Sequence, residues 1–167
     1  DIFFQSIPLV LERIPETKFY CPAMEGKNEA LYWVNHFNLH QNVKLLPLLN
    51  QMELWHLFHK SDITISLTLH DGTPNTLLEA MACGCLPIAG DIDSLREWIT
   101  PGTNGLLVEP TKPQALADAI VFSLQNPDFR IKAALENKKR IIEGAEFEKI
   151  KQLTANFYAK FLERKLN

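Results

Sequence analysis

Asp62-Ile63-Thr64-Ile65-Ser66-Leu67, then His70-Asp71-Gly72-Thr73-Pro74-Asn75-Thr76-Leu77-Leu78-Glu79-Ala80-Met81-Ala82-Cys83-Gly84, then Leu86-Pro87-Ile88-Ala89, decide the fold class of this 167-residue chain. The first run reads as a strand so apolar that both of its faces should be covered. A turn of Gly, Thr, Pro and Asn leaves it, a helix capped by Asn75 begins there, and a second strand follows. Strand, helix and strand joined by short turns make a parallel sheet with helices on both faces. In open sheets of this kind ligands bind at the carboxyl ends of the strands, and the loop from His70 to Pro74 leaves one of those ends.

The same alternation extends in both directions. Toward the N-terminus, Phe3, Ile7, Val10, Leu11 and Ile14 mark a helix with no strand before it, which is expected of a fragment of a longer chain. Lys18 to Cys21 is a short aromatic strand, and Ala30, Leu31, Val34 and Phe37 share one helical face. Asn42 to Leu46 is a second strand, stopped by Pro47. Met52 to His59 is a helix with Met52, Trp55 and His59 on one side. Toward the C-terminus, Ser94 with Glu97 predicts a capping box for a helix over Leu95 to Ile99. Gly105 to Val108 is the last strand. Thr111 with Gln114 predicts a second capping box, ahead of a helix carrying Leu116, Ile120 and Leu124. Two more helices, Asp128 to Glu143 and Glu146 to Arg164, split at Gly144 and form a tail that packs on the sheet or reaches a neighbour. The expectation is one domain over residues 1–167, a Rossmann-like three-layer α/β/α arrangement with a mostly parallel sheet and a helical C-terminal tail.

Composition narrows the function classes. Hydrophobic residues make up 46% and charged residues 22% of the chain, which is globular rather than disordered material. A net charge of −3 supplies no basic field for nucleic acid. No apolar run approaches the ~18 residues a membrane span needs, and no signal-peptide pattern opens the chain. Three cysteines, an odd count, point to reduced thiols and a cytoplasmic setting. Cys83 and Cys85 form only a C-x-C, which reads as small packed residues rather than metal ligands, so no metal site is expected.

The central stretch carries the chemistry. A helix N-terminus offers unpaired N–H groups and about half a positive charge, which suits a phosphate. Carboxylates on either side, Asp71 and Glu79, can accept hydrogen bonds from neutral hydroxyls such as those of a sugar or ribose. Together they favour a sugar nucleotide over free phosphate. The absence of G-x-G-x-x-G argues against a dinucleotide.

The stretch from Asp71 to Ile88 resembles, nearly position for position, the pattern E-G-x-P-x-x-L-L-E-A-M-A-x-G-x-P-V of retaining glycosyltransferases of the GT-B fold, family 4 (group 1). Asp62 to Ser66 and Asn104-Gly105-Leu106-Leu107-Val108 resemble flanking segments of that family's C-terminal, donor-nucleotide-binding half, so the chain is expected to be one half of a GT-B fold. The resemblance implies a nucleotide-diphosphate sugar as substrate, an unknown acceptor, and no cofactor or metal. It places Glu79 on the ribose hydroxyls of the donor, the amides of Thr76, Leu77 and Leu78 on the diphosphate, and Asp71 on the transferred sugar near the reacting carbon. Gly72, Thr73 and Asn75 supply backbone and cap in the same turn, and Pro47 and Leu48 match the loop where the base lies. Asp71 is one methylene shorter than the family's glutamate. The family's diphosphate-neutralising Arg and Lys belong to a first strand and loop that would precede Asp1. The N-terminal domain, the acceptor site and any contact with a membrane surface would also lie outside this chain, which alone should bind nucleotide weakly and turn over little. Two other readings stay open: a sugar-nucleotide epimerase or phosphorylase half of the same fold, and a non-catalytic Rossmann-like binding module. His70 can touch the sugar or be a solvated loop histidine. Trp33, Trp55 and Trp98 read as helix-to-sheet packing, Arg96 with Glu97 as a surface pair, and Lys138-Lys139-Arg140 as a solvated helix face.

Overall fold

The computed structural model describes residues 1–70, 72, 75–145 and 147–166. Along the chain run α1 (Ile2–Leu11), β1 (Phe19–Cys21), α2 (Asn28–His36), β2 (Val43–Leu45), α3 (Gln51–His59), β3 (Ile63–Ser66), α4 (Asn75–Ala82), β4 (Leu86–Gly90), α5 (Asp93–Arg96), β5 (Leu106–Val108), α6 (Pro113–Gln125), α7 (Pro127–Gly144) and α8 (Phe147–Leu166). All strand pairs are parallel, so the expected three-layer, Rossmann-like α/β architecture is the one observed.

The two helical layers follow from the pleat of β4, where neighbouring side chains point to opposite faces. Ile88 joins Phe4, Ile7 and Val10 of α1 and Leu116 and Ile120 of α6 in one core. Ala89 joins Leu77, Leu78 and Met81 of α4, with Leu95 and Ile99, in the other. A smaller cluster, Phe58 with Ala80 and Cys85, welds α3 to α4.

The strands form two ladders. β1 pairs with β2, and β3 with β4 and β4 with β5, but β1 and β3 do not pair. Between them lies a cavity of about 1590 Å³ lined by Phe19, Tyr20 and Cys21 on one side and Ile63, Thr64 and Ile65 on the other. Consecutive residues of a strand point alternately up and down, so a cavity that touches all of them meets the strand edges. Phe4, Ile120 and Leu124 also line it. This gap corrects the expectation for β3, which is half-buried throughout, whereas every residue of β4 is buried.

Helix starts depart from the sequence reading. The Ser94–Glu97 capping box does not form: α5 begins at Asp93, so Ser94 sits inside the turn, its buried hydroxyl without a hydrogen-bond partner. Nor does the Thr111–Gln114 box. Pro113 opens α6, a position where its missing N–H is no loss, while Thr111 hydrogen-bonds Glu109 and Gln114 bonds Asp118. A capping box does form at α3, where Asn50 Oδ1 accepts from Glu53 N at 3.0 Å and Glu53 Oε2 from Asn50 N at 2.8 Å. The inward face of α3 is Leu54, Trp55 and Phe58. Met52, 59% exposed, faces water, as does Leu31 on α2.

The C-terminal segment divides. α7 packs on α4 and β4, and is tied in by a buried amide pair. Asn104 Nδ2 donates to Asn137 Oδ1 at 2.7 Å, and Asn137 Nδ2 returns a bond to Asn104 O at 2.9 Å. Arg140 is more than a solvated charge, since it donates to Trp98 O at 3.1 Å. Arg96 pairs with Asp91 and Asp93 rather than with Glu97. α7 ends at Gly144, as expected; a Cβ there would come within 3.3 Å of the Trp98 ring. Glu146, the expected start of the last helix, lies outside the described residues. The side chains of residues 148–158 on α8 are exposed.

Gly105 is required by space. A Cβ on it would meet Pro87 Cγ at 2.7 Å and Pro87 O at 2.8 Å, just ahead of the β4–β5 ladder. Gly105→Ala should therefore destabilise the domain by about 2 kcal/mol through overpacking, read as a lower urea midpoint at unchanged slope. Asn137→Leu should cost a similar amount, about 2 kcal/mol, because it removes the partner of one Nδ2 hydrogen and of the backbone carbonyl of buried Asn104, whose side chain keeps only its bonds to Trp98 O and Thr100 N; near-neutral unfolding would show that the pair does not anchor α7.

Candidate functional site

Parallel pairing of β3 with β4 obliges the connecting helix α4 to start where both strands end. Ser66 pairs with Ala89 near those ends, and α4 opens at Asn75. Asn75 is the first helical residue rather than the cap, and Thr76, Leu77 and Leu78 complete the first turn. The amides of that turn have no acceptor within the helix. Leu77 and Leu78 bury their side chains, which pins the turn to the core and leaves backbone as their polar surface. Asn75 and Thr76 are exposed, as are Gly72 and His70. Asp71, Thr73 and Pro74, expected as sugar ligand and turn backbone, lie outside the described residues.

Glu79 sits one turn further along α4, about 6 Å of helix rise from Asn75, and is half-buried. Its Oε2 accepts a hydrogen bond from Trp55 Nε1 at 3.0 Å. Trp55 thus has a polar role beyond the packing expected of it. No sequence pattern announces that bond, because the two residues lie 24 positions apart on different helices.

Pro47 and Leu48 follow β2 and are exposed, Leu48 to 84%. Leu48, Leu54 and Thr76 line the cavity between β1 and β3, where Met24 also contributes. The structure therefore brings the β2–α3 loop and the first turn of α4 to one opening at the strand ends. Among the described residues no three His, Cys, Asp or Glu side chains are placed to hold a metal ion. None of the described helices is long and apolar enough to cross a membrane.

The thiols near the site are held protonated. Burial pushes Cys85 up to about 12 and Cys21 up to about 11. Cys85 also donates to Phe58 O at 3.2 Å. Cys83 is raised by partial burial first and then by the charge of Glu79, one turn before it. All three are free.

Residues 23–146 match the family described as Glycosyl transferases group 1. The chain belongs to that family. An uncharacterized glycosyltransferase of Methanocaldococcus jannaschii is 26% identical over 158 residues, 95% of this chain and 40% of that protein. The chain thus spans about two fifths of the length of that relative. Among solved structures, the Anabaena protein HepE in complex with UDP superposes with a TM-score of 0.84 at 17% identity, covering 95% of this chain and 44% of that one. The C-terminal domain of the group 1 glycosyltransferase LpcC from Francisella tularensis gives 0.73 at 22% identity, covering 87% of this chain and 78% of that one. The chain's Rossmann-like α/β fold matches these GT-B glycosyltransferase neighbours.

With a pKa of about 11 in place of 9.0, Cys21 should carry about a hundredfold less thiolate than an unperturbed thiol at pH 8. Iodoacetamide labelling followed by mass spectrometry should therefore spare Cys21 and Cys85 in the folded chain and modify both in urea. Equal labelling with and without urea would contradict their burial.

Proposed function

We propose that this domain is the donor-binding, C-terminal half of a retaining family 4 glycosyltransferase that transfers a sugar from a nucleotide-diphosphate sugar to an acceptor held mainly by the rest of the polypeptide. The observation that carries the reading is the placement of α4. Its open first turn faces the strand ends, with Glu79 one turn beyond it and the loop of Pro47 and Leu48 beside it. Amides of Thr76 to Leu78 then take the diphosphate, Glu79 the ribose hydroxyls, and the loop the base. Asp71, with Gly72 and Thr73 in the same turn, takes the transferred sugar. Membership of the glycosyltransferase family supports the class, and the UDP complex of the Anabaena protein supports a nucleoside diphosphate as the ligand type.

In the reaction the bond from the anomeric carbon to the diphosphate oxygen breaks and its electron pair leaves with the diphosphate, while an acceptor hydroxyl oxygen bonds that carbon on the same face and its proton passes to the departing diphosphate. The helix terminus stabilises that charge as a fixed dipole would stabilise an oxyanion. Basic side chains from a preceding segment complete the neutralisation, without a metal in this scheme. A β-strand from the same segment fills the gap between β1 and β3 and joins the two ladders into one sheet. The unpaired thiols suit a cytoplasmic setting.

On titration of the isolated chain with UDP, GDP or ADP at millimolar concentration, amide resonances of Thr76, Leu77 and Leu78 should shift for at least one nucleotide, and Glu79→Ala should weaken that binding about tenfold. Silence of these amides toward all three would remove the reading. The full-length polypeptide, assayed with a panel of nucleotide sugars, should give a product with retained anomeric configuration. Extending the chain at its N-terminus should slow amide hydrogen exchange at Tyr20 and Ile65, whose N–H groups alternate away from β2 and β4 toward the gap.

A further inference from the structure

We infer that Trp55 is a positioning residue for the nucleotide site: its indole N–H holds one oxygen of the Glu79 carboxylate so that the rest of the group is preset to receive a pair of vicinal hydroxyls. The inference rests on the proposed role of Glu79 and adds a residue from another helix to it. A carboxylate has about four acceptor positions on two oxygens. The bond from Trp55 Nε1 to Glu79 Oε2, at 3.0 Å, occupies one of them. Oε1 and the remaining lone pair of Oε2 stay available for hydroxyl donors.

The choice of donor matters. Indole offers one N–H, accepts nothing and carries no charge. It fixes the carboxylate without neutralising it, as a lysine or arginine in the same place would. A free glutamate side chain must give up rotamer freedom when it binds, and a side chain already held loses less.

Trp55 is itself fixed from two directions. With Leu54 it packs on the cluster of Phe58, Ala80 and Cys85 between α3 and α4. The Asn50–Glu53 capping box sets where α3 begins, directly after the Pro47-Leu48-Leu49 loop. The loop proposed for the base, the helix that follows it and the carboxylate proposed for the ribose form one mechanical chain, linked by a single side-chain hydrogen bond.

The test uses the full-length polypeptide and whichever of UDP, GDP or ADP binds it tightest, together with the 2′,3′-dideoxy form of that nucleotide. Trp55→Phe should weaken the ribonucleotide about tenfold and change the dideoxy form less than twofold. Equal weakening of both would reduce Trp55 to packing, and an unchanged ribonucleotide affinity would overturn its positioning role. If the variant does not fold, the Trp55 indole N–H resonance of the unsubstituted protein decides. It should move on addition of the ribonucleotide and stay in place with the dideoxy form; any other pattern refutes the inference. Glu79→Gln separates this inference from the reading it rests on. If ribose and dideoxy forms bind the parent equally, and this variant leaves both unchanged, the ribose role of Glu79 has failed, and the positioning role with it.

Discussion

Parallel pairing of β3 with β4 is the constraint on which the site depends. Two parallel neighbours cannot be joined by a tight turn, so the chain must cross over, and the crossover here is α4. That geometry puts the free amides of the helix at the carboxyl ends of the strands, whatever residues compose them. Burial of Leu77, Leu78 and Met81 against Ala89 then fixes the rotation of α4 about its axis. With Leu77 and Leu78 turned inward, Glu79 falls at the margin of the core, where its carboxylate meets Trp55 and solvent together.

The remaining elements act as supports for that unit. α3 braces α4 through Phe58, Ala80 and Cys85, and α7 braces it from the other side, held by the buried Asn104–Asn137 pair. β5 approaches β4 closely because Gly105 has no side chain to obstruct Pro87. The gap between β1 and β3 is the exception in an otherwise closed core. It leaves β3 half-buried and the facing edges of β1 and β3 without a partner strand among the described residues.

Much of this was legible in the sequence. Alternating strand and helix signals placed every strand within a residue or two of its observed position, and the motif from Asp71 to Ile88 led to the glycosyltransferase family before any coordinates. The capping boxes were read less well. Ser-x-x-Glu at Ser94 and Thr-x-x-Gln at Thr111 fit the pattern, but a box requires the first residue to stand just outside the helix, and here α5 begins one residue before Ser94 while Pro113 opens α6 two residues after Thr111. At Asn50 the Asn-x-x-Glu signal was present and the helix did begin there. Arg96 and Arg140 were misread because charge patterns along the chain do not reveal which carboxylate or carbonyl a fold will bring alongside.

By itself the sequence determined the α/β class, the parallel order and the stretch that forms the candidate site, because strand and helix periodicity and turn chemistry are local properties. Only the tertiary structure decided that Trp55 donates to Glu79, that Asn104 and Asn137 close on each other, and that β1 and β3 stand apart. Each of these joins or separates residues more than twenty positions apart, and such relations exist only once the layers have packed.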